Sequence, residues 1–211
     1  LTRLFIIRHG ETEGNKNKIY RGRWDLPLND KGLKQVENAG AALEQVRLDA
    51  IFASPLERTL QTATAVAKFQ KVEPQIEPGL IDIDYGQWTR MPDSEVARSH
   101  PDIYTRWSQR PETVSFPDGE GLADVRRRVE PLLARVGKEY PGQNVALCGH
   151  RVSVKMILMV ALGLPDSAFW RVKVDTASIS VVDFDTEFSL VFANDTCHLK
   201  PLADKFTSAD F

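Results

Sequence analysis

Three apolar runs in this chain end in residues able to do chemistry. Leu4 to Ile7, in "LFIIRHGET", run straight into Arg8 and His9. Asn144 to Cys148 run into Gly149 and His150, and Ala50 to Ala53 lead into Ser54-Pro55-Leu56-Glu57-Arg58. Arg58 falls in the first turn of the helix that Ser54 and Pro55 should open. A cation there sits beside the positive end of the helix dipole and is disfavoured by several tenths of a kcal/mol. A bound anion would reverse that sign. Arg8 adds a second guanidinium, and the helix after His150 adds free N–H groups. Two arginines, two histidines and helix N-termini make a pocket for a dianion. Phosphate fits best, because an arginine fork matches its oxygens in pairs.

Each residue alone has a plainer reading. Arg8 could be an ion-pair partner and His9 a satisfied core histidine. The recurrence of Arg-His and Gly-His at two strand ends favours the pocket. A metal site is the rival. The chain has only four histidines, and arginines flank the relevant pair. Neither a P-loop nor a G-x-G-x-x-G motif is present, so nucleotide cradling by a glycine loop is not expected.

The elements that must carry these residues alternate. Leu4–Ile7, Ala50–Ala53 and Asn144–Cys148 read as buried strands. Asn29 caps a helix bearing Leu33, Val36, Gly40 and Leu43, and Ser54 starts another that runs to about Phe69. Val125, Val129, Leu132, Leu133 and Val136 mark a long helix, and Val152–Leu162 an apolar one ended by Gly163. Ser178–Phe184 and Phe188–Phe192 read as closing strands. The segment from about 74 to 117 is rich in proline, tryptophan and tyrosine, with helical pieces at Ser94–His100 and Pro101–Arg110. It reads as an insertion covering the site, within one domain spanning 1–211. Strand–helix alternation predicts an α/β three-layer sandwich, a mostly parallel central sheet flanked by helices. In such folds sites form at the carboxyl ends of strands, where the three groups would converge.

Bulk properties narrow the class. The 211 residues suffice for one sizeable core, and a net charge of -2 gives no bias toward nucleic acid. No apolar stretch approaches a membrane span, and no signal-peptide pattern opens the chain, so a cytoplasmic protein is expected. Cys148 and Cys197 form no C-x-x-C, and Cys148 reads as a buried reduced thiol.

"RHGET", "SPLERTLQTA" and "GH", in this order, resemble the histidine phosphatase superfamily, in its phosphoglycerate-mutase-like branch. The likeness runs from about Arg3 to Leu199. It implies a phosphoglycerate-mutase-like fold and hydrolysis without metal or other cofactor. His9 would be the nucleophile, forming a phosphohistidine that water cleaves. Arg8, Arg58 and His150 would hold the phosphoryl oxygens, and Asn15 would donate a further hydrogen bond. The family's proton donor is usually a glutamate in "LxExxxGxWxG". Here "LIDIDYGQW" puts Asp82 in that slot, with Asp84 as a fallback or a surface ion-pair carboxylate. Gly14 stands where many members have tryptophan. Arg151 follows His150 where glycine is common, and reads either as a substrate contact or as a solvated arginine.

The short "IDYGQW" segment favours a phosphatase over a phosphoglycerate mutase. Stretches such as "DTASISV" and "NDTCHL" are similar to metal-independent phosphoserine phosphatases. By that likeness Tyr85 and His198 would lie at the substrate's amino-acid end, although Tyr85 replaces a histidine there; His198 could equally be structural. Arg21 and Gly22, in "YRGRWDLPL", would border the substrate. Glu120 would lie near the pocket, Trp88 and Trp107 would pack the insertion, and Arg126–Arg128 would be a solvated helix face. The expected partner is a small phosphorylated metabolite such as phosphoserine, a phosphoglycerate or a sugar phosphate, with neither nucleic acid nor membrane. A non-catalytic phosphate-binding module is the third reading, and a homodimer is the expected assembly.

Overall fold

The protein is described over residues 1–199, from a computed structural model. Six strands form one sheet: β1 (Thr2–Arg8), β2 (Ala50–Ala53), β3 (Pro74–Ile76), β4 (Asn144–Gly149), β5 (Ile179–Phe184) and β6 (Phe188–Asp195). Their order is β3-β2-β4-β1-β5-β6. The first four run parallel; β5 runs against β1, and β6 against β5. The helices are α1 (Glu13–Lys16), α2 (Asp30–Ala42), α3 (Glu57–Ala67), α4 (Asp93–Ser99), α5 (Pro101–Gln109), α6 (Leu122–Glu139) and α7 (Arg151–Ala161).

The continuous apolar run of β1 is explained by burial on both faces. Alternate residues serve different cores. Leu4 and Ile6 join Val129, Leu133 and Met156 from α6 and α7. Phe5 and Ile7 join Ala39 of α2, Leu43 just past its end, and Ala63 and Val66 of α3. β4 divides the same way, with Val145 and Leu147 on the first face and Ala146 and Cys148 on the second. Cys148 is a free, buried thiol whose pKa burial pushes up to about 12.

Asn29 caps α2 as expected, its side-chain oxygen accepting from the Gly32 N–H at 2.8 Å. The α2 start packs tightly on the loop after β1: a Cβ on Gly10 would lie 2.6 Å from the Gly32 carbonyl oxygen. The start of α3 differs from expectation. Leu56, not Ser54, is its N-cap, because the Ser54 hydroxyl is engaged elsewhere, as described below. The expected insertion also begins later. Pro74–Ile76 pairs with β2 as the edge of the sheet, a strand too short to show a period in sequence. The segment after it carries α4 and α5, with Trp88 and Trp107 fully buried among Tyr85, Phe116 and Phe169. No helix of the described residues is long and apolar enough to cross a membrane.

Candidate active site

The three strand ends lie side by side. Arg8 of β1 is in register with Gly149 of β4, and Ala53 of β2 with Cys148. The His9 N–H then donates to the Gly149 carbonyl at 3.0 Å, and the Ser54 N–H to the Cys148 carbonyl at 3.1 Å. Sheet hydrogen bonding thus continues one residue past the strands and fixes the backbones that carry the reactive groups.

His9 is almost wholly buried. Its Nδ1 lies 2.6 Å from the Gly10 carbonyl oxygen. A carbonyl only accepts, so Nδ1 carries the proton and Nε2 keeps its lone pair. Burial, then the charges of Arg58, Arg8 and Arg21, hold its pKa well below the usual histidine range. His9 is therefore a neutral imidazole with a fixed tautomer. The His150 ring stands beside it, 5.2 Å between centroids.

Arg8 is fully buried, one NH1 hydrogen donated to the Val174 carbonyl at 2.9 Å. Arg58 is fully buried as well. It donates to the Gly22 carbonyl at 2.7 Å, to the Trp24 carbonyl at 3.1 Å and, through Nε, to His150 Nδ1 at 3.1 Å. Gly22 thus anchors Arg58 from behind. Its φ of +49° is a conformation that favours glycine, and a Cβ there would lie 2.9 Å from the Ile83 carbonyl oxygen. His150 Nε2 lies 2.7 Å from the Ser54 hydroxyl. Burial and the neighbouring Arg58 depress the His150 pKa. Sequence reasoning missed the contact of His150 with Ser54, because Ser54 read as a helix cap.

Asp82 comes from the segment after β3. Its Oδ2 lies 3.5 Å from Arg58 NH2 and 3.9 Å from His150 Nδ1, while the Ile83 N–H bonds its Oδ1. Burial raises its pKa, against the opposing pull of Arg58 and Arg21. The carboxyl is therefore biased toward its protonated form, the state a proton donor needs. Arg128 braces this loop, NH2 donating to the Ile81 and Asp82 carbonyls and NH1 to Glu120. Arg126 is likewise occupied, on Asp166 and the Leu164 carbonyl. The expectation of a solvated face at 126–128 holds only for Arg127, which pairs with Asp124 at the surface. Contacts with a distant loop leave no periodic signal. Asp84 accepts from the Gly86 N–H and pairs with Arg23, the plainer of its two readings. Glu120 is a brace, holding Arg23, Arg128 and the Asp84 N–H.

Asn15 turns its carbonyl oxygen to the Thr12 N–H at 3.0 Å. Asn15, Arg21, Tyr85 and Arg151 line one small cavity. His198 does not line it. Its Nε2 lies 2.9 Å from the Ala177 carbonyl, and the Ala177 N–H donates to the His9 carbonyl. Among the described residues, no group of three or more His, Cys, Asp or Glu side chains is gathered as metal ligands.

Residues 4–196 match the family model "Histidine phosphatase superfamily (branch 1)". Phosphoserine phosphatase 1 of Hydrogenobacter thermophilus is 35% identical over 200 residues, covering 94% of this chain and 95% of its own. The adenosylcobalamin/alpha-ribazole phosphatase of Escherichia coli is 29% identical over 187 residues, covering 89% of this chain and 92% of its own. Among solved structures, Bacillus stearothermophilus YhfR superposes with a TM-score of 0.90 at 26% identity, covering 94% of this chain and 100% of its own. The alpha-ribazole phosphatase from Shigella flexneri superposes at 0.84 with 27% identity, covering 92% and 96%.

Proposed function

The chain belongs to the histidine phosphatase superfamily, and we propose that it hydrolyses monoesters of small phosphorylated metabolites, without a metal, through a phosphohistidine on His9. The observation that carries this reading is the convergence at neighbouring strand ends of a buried His9, its Nδ1 fixed on the Gly10 carbonyl, with buried Arg8 and with an Arg58–His150–Asp82 cluster.

His9 Nε2 attacks phosphorus, and the ester P–O bond breaks. Arg8 and Arg58 set their positive charge against the phosphoryl oxygens as charge moves onto them, and His150 holds the Arg58 Nε from behind. The Asp82 proton passes to the departing alkoxide. Water then attacks the phosphohistidine, the Asp82 carboxylate takes its proton, and the N–P bond breaks to release phosphate and restore His9. Aspartate reaches one methylene less than glutamate. The Arg128 bonds to the Ile81 and Asp82 carbonyls fix how close the loop comes.

The named relatives support a small-metabolite substrate: they are phosphoserine and alpha-ribazole phosphatases. Free cysteines at 148 and 197 fit a reducing compartment, and we place the protein in the cytoplasm.

The test is phosphate release in the presence of EDTA from phosphoserine, 3-phosphoglycerate, sugar phosphates and p-nitrophenyl phosphate. Turnover with a trapped phosphoenzyme that disappears in His9→Ala supports the reading. Strong inhibition by EDTA, or undiminished turnover by His9→Ala, overturns it.

A further inference from the structure

Two stretches of the sequence that the mechanism leaves unused, "DTASISV" and "NDTCHL", meet each other behind the site. The first forms, with Val174, a turn that backs both Arg8 and His9. The Val174 carbonyl accepts from Arg8 NH1 at 2.9 Å. The Ser178 carbonyl accepts from the Arg8 N–H at 3.2 Å, and the Ala177 N–H donates to the His9 carbonyl at 3.1 Å. The His9 backbone is thus held from two sides, by Gly149 and by Ala177.

The turn is strained where His9 meets it. Ala177 is fully buried with φ +54°, a conformation that residues with a Cβ rarely adopt. Such a conformation persists only where surrounding contacts hold it. Strand β6 supplies the hold. The pairing of β5 with β6 shifts register between Ile179 and Val181, and irregularities of this kind re-aim side chains. Asn194 lies within the shift. Its φ is +55°, which asparagine tolerates better than most residues, and its N–H donates to Ser180 Oγ at 3.0 Å. Its carboxamide grips Asp175 by both ends. Oδ1 accepts from the Asp175 N–H at 2.6 Å, and Nδ2 donates to Asp175 Oδ2 at 2.8 Å. Lys173 approaches the same oxygen from the surface, at 3.5 Å. His198 adds a second hold, Nε2 donating to the Ala177 carbonyl at 2.9 Å.

We propose that Asn194 is a positioning residue for His9 and Arg8, acting through the Asp175–Ala177 turn; its kinetic effect rests on the phosphatase reading. A carboxamide sets a donor and an acceptor side by side, which is what the Asp175 N–H and carboxylate together require. Without it the turn loses its grip from β6, and Ala177 relaxes toward ordinary backbone. The Ala177 N–H and the Val174 carbonyl then move. With them go the mount of His9 and an acceptor of Arg8. Attack on phosphorus needs His9 in line, and a misplacement of about 1 Å costs about 100-fold. Phosphate binding is less sensitive, because Arg58 is anchored elsewhere, on the Gly22 and Trp24 carbonyls.

The test is Asn194→Gly, which keeps the left-handed backbone and removes only the carboxamide, measured well below its melting temperature. Turnover of p-nitrophenyl phosphate should fall about 10- to 100-fold in kcat, while the Kd for inorganic phosphate rises by less than about 10-fold. Asn194→Asp should lose as much, since two carboxylates then face each other. Joining it with Asp175→Asn returns a donor opposite an acceptor and should recover most of the kcat. A lower melting temperature with unchanged kcat and phosphate Kd makes Asn194 merely structural and overturns the proposal. So does an exchange no more active than Asn194→Asp alone. Phosphate binding by the wild type without turnover of the ester would count against the phosphatase reading instead. The proposal is then judged on nitrogen NMR of His9: its signals should shift in Asn194→Gly, and unchanged signals overturn it.

Discussion

Arg58 Nε lies 3.1 Å from His150 Nδ1, and that contact dictates where the His150 proton sits. A guanidinium N–H can only donate, so Nδ1 accepts and the ring proton is on Nε2. The Nε2–H then donates to Ser54 Oγ at 2.7 Å. Ser54→Ala leaves that buried N–H without an acceptor, a loss of about 1–3 kcal/mol. We expect lower stability by that amount and a fall in kcat of about 10-fold or more, with Ser54→Thr close to wild type. Nitrogen NMR of His150 should show the tautomer populations shifting in the alanine variant. An unchanged spectrum would remove Ser54 from the positioning of His150.

Asp82→Asn separates chemistry from stability. Removing a general acid should cost about 10²- to 10⁴-fold on alkyl phosphates. The loss should be smaller on p-nitrophenyl phosphate, whose leaving group needs little protonation. Equal losses on both would make Asp82 structural. Its raised pKa has the opposite sign from a stabilising carboxylate: the native state binds the proton more tightly than the unfolded chain, so ionisation costs stability as pH rises through the native value. The variant should gain melting temperature over wild type, by more at neutral pH than below the ordinary aspartate value of about 3.9.

The two site histidines make the fold sensitive to acid. Both have native pKa values well below the ordinary one, chiefly through burial. The unfolded chain takes up protons at these positions below about pH 6.5, while the native protein does not. Stability is fully present above that value and declines as pH falls, by up to about 2.7 kcal/mol per pH unit for two protons. Urea unfolding between pH 7 and pH 5 measures the slope, and His9→Ala should flatten it.

Lys155 gives a second pH signature. Burial, with Arg151 and Arg8 nearby, lowers its pKa to about 6. Between there and its ordinary value, the unfolded chain holds a proton that the native protein lacks. Stability from this group therefore rises with pH across that window. Lys155→Met should raise stability at pH 7 by a few kcal/mol, and the gain should shrink toward pH 10. A constant gain at both pH values would mean that Lys155 stays charged.

Much of this site could be read from sequence because backbone and chemistry coincide at the strand ends. Apolar runs stopping at Arg8-His9 and Gly149-His150 mark parallel strands whose ends must be neighbours. Asn29 capped α2 for the local reason that its side chain reaches an N–H three residues on. The illegible parts depend on distant partners. Ser54 looks like a cap until His150, 96 residues away, claims its hydroxyl. Arg128 looks solvated until the Asp82 loop folds over it. Gly22 reads as bordering the substrate, and the sequence gives no sign that its carbonyl also holds Arg58. Pro74–Ile76 is a strand only because β2 offers a free edge.

The two-faced burial of β1 reaches beyond stability. Side chains on a strand alternate, so a slip of one residue against β4 would exchange the contents of both cores at once. Leu4 and Ile6 would face α2 and α3, and Phe5 and Ile7 would face α6 and α7. His9 sits one residue past this strand, so the same slip would carry it away from Gly149. Misaligned forms are thus rejected by hydrophobic packing before any ligand arrives. The placement of His9, the proposed nucleophile, is proofread by the folding of the sheet. Loops bordering the leaving group can then change over evolutionary time without disturbing the alignment that attack on phosphorus requires.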